Sequence, residues 1–266
     1  MKKIGFIGMG NMGKAIVLGM LKTFDSDAIL FTEKNPDKRA ANSVNLGIKY
    51  VESNAELAND VDYIVLAVKP QIYPEVLKNI ENVANEGKVI ISLAPGITIE
   101  SLHDALGPDV KIVRVMPNTP ALIGAGMTGV AYEKEMLTEA DVDMVRRILS
   151  SIGKYEVVDE ELMDAVVCAS GSSPAYVYMF IDALVESVVK LGMDRETATK
   201  MVCETVIGSA LMVEKTGEKP STLKDNVCSP NGTTIAAVTE LEKNGFNAAI
   251  LKATESCFRR SLELGK

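Results

Sequence analysis

A chain of 266 residues, 47% hydrophobic and 24% charged, has room for about two domains with cores of their own and is neither disordered nor fibrous. Its 36 acidic against 28 basic residues leave a net charge of -8, which argues against nucleic acid or an anionic membrane as partner, because phosphate surfaces are met by basic ones. No apolar run approaches the roughly 18 residues of a membrane span, and glycines interrupt the amino-terminal "IGFIGMG" where a secretory leader would be unbroken.

From Lys3 to about Val158 short apolar runs alternate with amphipathic ones. "IGFIG", "AILFT", "DYIVLAV", "KVIISLA" and "KIVRVMP" read as strands, mostly unbroken apolar runs as expected for a sheet covered on both faces. Residues 11–22, 36–46, 70–85 and 98–106 read as the helices between them. This alternation predicts repeated βαβ units and a mainly parallel sheet. "GMTGVAYE" and "KYEVVD" add two strands around a helix that starts near Thr138, where "TEAD" offers a cap and an acidic first turn.

After Glu160 the strands stop, and helices are predicted over 161–168, 174–191, 195–215, 233–243 and 246–264. The boundary therefore falls near Asp159, with a dinucleotide-binding domain over 1–159 and an all-α domain over 160–266. Segments such as "AYVYMFIDALVESVV" and "TVIGSALMV" are apolar over more of their surface than a small bundle needs for itself, which points to a subunit interface. The four cysteines, Cys168, Cys203, Cys228 and Cys257, form no CxxC pair and have no histidine cluster beside them, so no metal site is expected. They read as reduced, mostly buried thiols of a cytoplasmic protein.

The chemistry begins at "GFIGMGNMGKAI", where Gly8, Gly10 and Gly13 have the G-x-G-x-x-G spacing between a strand and a helix. The first glycine permits a tight turn, the second lets backbone approach a pyrophosphate, and the third lets helix and strand pack closely. Glu33, just past the second strand, stands where a carboxylate accepts the ribose hydroxyls of NAD, while Lys34 and Asn35 beside it suit the 2′-phosphate of NADP; both remain open. "LAVKPQ" puts Ala67, Val68 and Lys69 at the carboxyl edge of the sheet, and "VMPNTPAL" puts Asn118 and Thr119 there, beside the expected nicotinamide. His103 is the only histidine and falls in a polar helix, so a surface role is expected and a histidine-based triad is excluded. "ASGSSPAYVYMF" offers Ser172 and Ser173 as caps for the helix that follows. Finally, "DNVCSPNGTTIAAVTELE" places turn formers ahead of a helix starting near Thr233 whose first turn is uncharged, so its free amides would attract an anion.

Together "GFIGMGNMGKAI", "LAVKPQ", "VMPNTPAL", "GSSPAY" and "LKDNVCSPNGTTIAAV" resemble, in order and spacing over essentially the whole chain, the pyrroline-5-carboxylate reductases. The last segment is the family's signature, commonly SPGGTT; here Asn231 stands where glycine is usual, and Ser172-Ser173 where Ser-Gly is usual. The resemblance implies a Rossmann-type, mainly parallel α/β domain followed by an all-α dimerisation domain. It implies reduction of 1-pyrroline-5-carboxylate to L-proline by hydride from NADP(H) or NAD(H), the last step of proline biosynthesis. Cofactor contacts are implied for Gly8, Met9, Gly10, Asn11 and Met12, for the segment after the second strand, for Asn54, and for Ala67, Val68 and Lys69. Substrate contacts are implied for Asn231, Gly232, Thr233 and Thr234, which makes the anion at that helix the substrate carboxylate. Thr234 becomes the candidate catalytic hydroxyl near the ring nitrogen. A homodimer with sites shared between subunits is implied too, and in many members five dimers form a decamer. The β-hydroxyacid dehydrogenases share the domain order, but their catalytic lysine after the glycines of the corresponding helix has no counterpart here. A noncatalytic dinucleotide-binding protein would have no need of a second anion cradle.

Overall fold

The computed structural model describes residues 2–85 and 87–264. The chain divides into two compact units, Met1–Pro174 with Cys257–Lys266, and Ala175–Ser256. The strands do end before Asp159, but the first unit continues to Pro174 because the segment after Glu160 lies against the sheet: a Cβ on Gly129 would run into Val166.

The first unit is built on an 8-stranded sheet. Its strands are β1 (Ile4–Ile7), β2 (Ile29–Thr32), β3 (Lys49–Tyr50), β4 (Tyr63–Leu66), β5 (Val89–Ser92), β6 (Lys111–Met116), β7 (Gly126–Tyr132) and β8 (Gly153–Val157). They lie in the order β3-β2-β1-β4-β5-β6-β7-β8, parallel throughout except for the antiparallel pair β6 and β7. The chain builds outward from β1 to one side, then crosses to β4 on the other, so β1 and β4 form the switch point where open α/β sheets bind ligands.

Alternation along each strand feeds both faces. Tyr63 and Val65 join a core with Ile16, Val17 and Met20 of α1 (Asn11–Met20) and Ile148 of α6 (Glu139–Ser150). Ile64 and Leu66 join the opposite core with Leu57 of α3 (Asn54–Asp60), Tyr73 and Ile80 of α4 (Tyr73–Ile80), and Leu102 of α5 (Ile99–Leu106). Helix α2 (Pro36–Leu46) is capped by Asn35 and closed by Gly47 in the left-handed region, φ 65. Helix α6 begins with the capping box foreseen at Thr138, and its Asp141 is buried among Lys111 Nζ at 2.7 Å, Tyr63 Oη at 2.9 Å and the Thr138 hydroxyl. Burial pushes the Asp141 carboxyl up, but the hydrogen bonds from Lys111, Thr138 and Tyr63 outweigh it and hold the group well below the usual carboxylate range.

β3 and α3 escaped the periodicity reading because they are 2 and 7 residues long. The helix expected over 70–85 is a 3-10 turn at Pro70–Ile72 followed by α4, which stops at Ile80. Pro74 has no N–H to continue a helix from Pro70, so the helix restarts around it.

Beyond β8 come α7 (Met163–Val166), a π turn over Val167–Gly171, and α8 (Ser173–Lys190). Ser172 and Ser173 do not cap α8. The helix runs on through the π turn, and Ser173 Oγ instead donates to the Ala169 carbonyl at 2.7 Å. The second unit carries most of α8, α9 (Arg195–Thr216), α10 (Pro220–Val227), α11 (Thr233–Lys243) and the start of α12 (Phe246–Leu264). α10 was not foreseen. Among the described residues the core of this unit is Val185, Ala198 and Val202, while Tyr178, Met179, Phe180, Met201 and Met212 stay exposed. The cysteines form no disulfide, and only Cys168 is buried; the other three are half-buried, a correction that for Cys203 and Cys228 follows from the thin core of the helical unit.

Candidate active site

β1 ends at Ile7, and the chain turns at Gly8 with φ 90, its N–H donating to the Thr32 carbonyl at 3.0 Å. A Cβ there would stand 2.6 Å from Val68 Cγ1, so the position demands glycine both for its backbone and for its space. A Cβ on Gly13 would lie 3.0 Å from the Gly8 carbonyl and 3.3 Å from Ala67 Cβ, the close approach of helix and strand read from the spacing. At Gly10, the N-cap of α1, a Cβ would meet nothing within 4 Å, and no side chain caps the helix. Free amides and an open glycine make this helix start a cradle for a pyrophosphate.

The cradle opens into a cavity of about 540 Å³. Gly8, Met9 and Gly10 line it from the loop, Glu33 and Lys34 from the end of β2, and Ala67, Val68 and Lys69 from the end of β4, together with Asn54. Tyr73, buried and pushed up to about 12 by that burial, donates to the Leu66 carbonyl at 3.0 Å and pins the end of β4. Glu33 accepts the Met9 N–H at 3.4 Å and the Asn35 N–H at 3.2 Å, which aims its carboxylate at the mouth of the glycine loop. Lys34 Nζ pairs with Glu75 at 3.2 Å.

Not every predicted residue lines this cavity. Asn11 and Met12 form the first turn of α1 without lining the cavity, and Gly13 is buried. Asn35 caps α2, its side chain accepting the Lys38 N–H at 3.0 Å. Asn118 lies away from the cavity: Nδ2 donates to the Ser170 carbonyl at 3.0 Å and Oδ1 accepts the Met127 N–H at 2.9 Å. His103 is half-buried at the surface and does not line the cavity. It is tied to the Gly107 carbonyl at 3.1 Å and to Glu133 at 3.0 Å, with a side chain 16% exposed. The sequence reading missed Arg39, whose Nη2 pairs with Glu52 at 2.7 Å and whose guanidinium stacks over Tyr50, and Thr32, whose hydroxyl donates to Asn54 Oδ1 at 2.8 Å. Arg39 lies one helical turn past Asn35, but nothing in linear spacing says that this turn faces a cavity.

The second anion cradle lies in the helical unit. Asn231, the one non-glycine with positive φ among the described residues at 58°, turns the chain into Gly232, whose N–H donates to the Ser229 carbonyl at 3.0 Å. A Cβ on Gly232 would run into Ser229 Oγ. Gly232 is the N-cap of α11, no side chain caps that helix, and its first turn holds no acid. The amides of Thr233 and Thr234 are therefore left for a ligand.

Residues 160–264 match the family described as pyrroline-5-carboxylate reductase dimerisation, and residues 3–96 match the one described as NADP oxidoreductase coenzyme F420-dependent. The chain is 46% identical to the pyrroline-5-carboxylate reductase of Escherichia coli (strain K12), over 100% of this chain and 99% of the relative. The crystal structure of the Plasmodium falciparum pyrroline carboxylate reductase with NADP bound is 36% identical, TM-score 0.88, covering 100% of this chain and 98% of that one. The Coxiella burnetii pyrroline-5-carboxylate reductase is 32% identical, TM-score 0.90, with coverage of 100% and 99%. On these matches, which span the whole chain, the chain is a member of the pyrroline-5-carboxylate reductase family.

Proposed function

We propose that the cavity beside β1 and β4 holds the nicotinamide dinucleotide and that the start of α11 holds the carboxylate of a cyclic imine. The reaction is the family's: 1-pyrroline-5-carboxylate is reduced to proline with NAD(P)H, the last step of proline biosynthesis. The observation that carries the substrate assignment is the 11-residue helix α11, entered through Gly232 with neither a capping side chain nor an acid in its first turn. A carboxylate there gains about 0.3 to 1 kcal/mol from the helix dipole, and about 2 where partly buried. Hydrogen bonds to the charged acceptor add roughly 1.5 to 3 kcal/mol each, so no arginine is required.

When bound, the reduced nicotinamide supplies a hydride to the imine carbon. The chain's own residues bind and orient. The amides of Thr233 and Thr234 fix the carboxylate end of the ring. The Thr234 hydroxyl orients the ring nitrogen and the proton that reaches it, so that C=N becomes CH–NH. Holding the two reacting carbons in a near-attack arrangement is the larger part of the task. The amides of Asn11 and Met12 and the Gly10 backbone take the pyrophosphate. Glu33 would accept a 2′-hydroxyl, whereas Lys34 and Arg39 would hold a 2′-phosphate.

The exposed apolar residues of α8 and α9 and the match to a dimerisation family support a homodimer in which each site joins one subunit's cofactor to its partner's α11; a decamer of five such dimers is the larger assembly that the family resemblance allows. No helix among the described residues is long and apolar enough to cross a membrane, and cysteines without disulfides support a cytoplasmic location.

The deciding experiment follows loss of the reduced nicotinamide's absorbance with pyrroline carboxylate and each nucleotide in turn. Turnover of hydroxy acids but not of cyclic imines would sink the reading. Faster turnover with NADH points to Glu33, and the reverse to Lys34 and Arg39. Thr234→Ala is expected to lower kcat by about tenfold to a hundredfold; full turnover with unchanged substrate affinity would reduce Thr234 to a helix residue.

A further inference from the structure

Pro174 carries no N–H, so it cannot donate to the Ser170 carbonyl four residues earlier as a helix would require. That carbonyl accepts Asn118 Nδ2 at 3.0 Å. The opposite end of the same amide, Oδ1, accepts the Met127 N–H at 2.9 Å, and Asn118 is only 8% exposed. Ser170 lies in the π turn Val167–Gly171, where the Ser172 N–H reaches back to the Val167 carbonyl at 2.7 Å. Such turns are uncommon and recur at functional sites. Its last residue, Gly171, is pressed against the end of β6: a Cβ there would stand 2.6 Å from Met116 Cε. The 3-10 turn Thr119–Ile123 that follows Asn118 packs on α1, the helix that opens from the glycine loop.

We infer that Asn118 is a positioning residue for hydride transfer: through its bond to the carbonyl that Pro174 leaves free, it clamps the 117–120 loop at the carboxyl edge of β6. The inference rests on the proposed function, because β4, β5 and β6 are parallel neighbours whose carboxyl ends share the edge assigned to the cofactor. It replaces the side-chain contact to the cofactor that the sequence suggested for Asn118. Both ends of the amide are engaged by backbone, one as donor and one as acceptor, and only a carboxamide of this length satisfies the two together. Aspartate keeps the acceptor and loses the donor. A backbone shift of about 1 Å at such a loop costs on the order of a hundredfold in rate.

Two substitutions break the clamp from opposite sides. Asn118→Asp removes the donor to Ser170 while keeping the oxygen that faces Met127. Pro174→Ala leaves Asn118 untouched and returns a helical N–H that competes for the Ser170 carbonyl. Turnover of pyrroline carboxylate by the unsubstituted enzyme is measured first, and its absence defeats the proposed function rather than the clamp. In both variants kcat is expected to fall by about tenfold to a hundredfold, with the dissociation constant for the nucleotide, read by fluorescence, within about twofold. Pro174→Ala should melt no lower than the unsubstituted protein, and the Met127 amide should stay protected from hydrogen exchange in Asn118→Asp. Full kcat in Pro174→Ala overturns the inference, and so does a loss of kcat matched by lost nucleotide affinity or by a lowered Tm. Should Asn118→Asp fail to fold, Pro174→Ala decides alone.

Discussion

The sheet unit and the helical unit differ in how much of their apolar surface they bury for themselves. In the first, β1, β2, β4 and β5 are buried along their whole lengths, and two cores fill both faces of the sheet. In the second, three residues form the core among those described, while a run of large side chains on α8, from Val177 to Phe180, meets solvent. Apolar faces of that extent mark an association surface. The sheet unit therefore buries a core of its own, whereas the helical unit leaves an apolar face exposed, in keeping with its match to a dimerisation family. Polar groups follow the same division. The sheet unit encloses a charged cluster around Asp141, whereas the helical unit spends its polar chemistry on an open helix start at Gly232.

The largest effect should come from breaking the surface that the helical unit cannot bury alone. Phe180→Asp places a charge where a second copy is to pack, and an unpaired charge in such a place is costly enough to prevent association. Sedimentation should then report a monomer and turnover should drop by about a hundredfold or more, with nucleotide binding by the sheet unit retained. A dimer with full activity would show that α8 is not the interface.

A smaller loss is expected inside the sheet unit. Asp141→Asn leaves Lys111 and Lys2 facing a neutral amide in place of the carboxylate, at a cost of about 3 kcal/mol at neutral pH. Because the folded-state pKa of Asp141 is depressed, its contribution is complete above the ordinary carboxylate value of about 4 and is lost as pH falls below that. Urea melts should show the gap between variant and unsubstituted protein closing on acidification. A gap that stays constant from neutral to strongly acid pH would mean that charge is not what Asp141 contributes.

The smallest effect belongs to the helical unit's loop. Asn231 already occupies the left-handed region, so Asn231→Gly removes modest strain and adds chain entropy to the unfolded state, for a net change below about 1 kcal/mol and turnover within about twofold. A tenfold change in KM for the imine would instead place the Asn231 side chain on the substrate.

Much of this was legible in the chain. Thr138 and Asp141 announce the start of α6 within four residues, and the Gly8, Gly10 and Gly13 spacing has a separate steric reason at each position. Asn231 foretold its own backbone, being among the few residues that tolerate positive φ. Ser173 misled, because its cap pattern was overridden by a helix already under way from Met163. Arg39 was invisible: its partner Glu52 and the Tyr50 ring beneath it belong to the β3 edge, and β3 is too short to show periodicity.

Local propensity reaches about one helical turn, and within that range the amino acids alone determined the alternation of strands and helices, the glycine turn after β1 and the uncapped start of α11. Which distant groups meet was decided only by the folded sheet. Asn118 finds the Ser170 carbonyl 52 residues away, and Tyr63 finds Asp141 78 residues away, because strand order and helix packing bring those backbones together. Contacts of that separation carry no local pattern in the chain, so they exist only once the sheet has set which edges are neighbours.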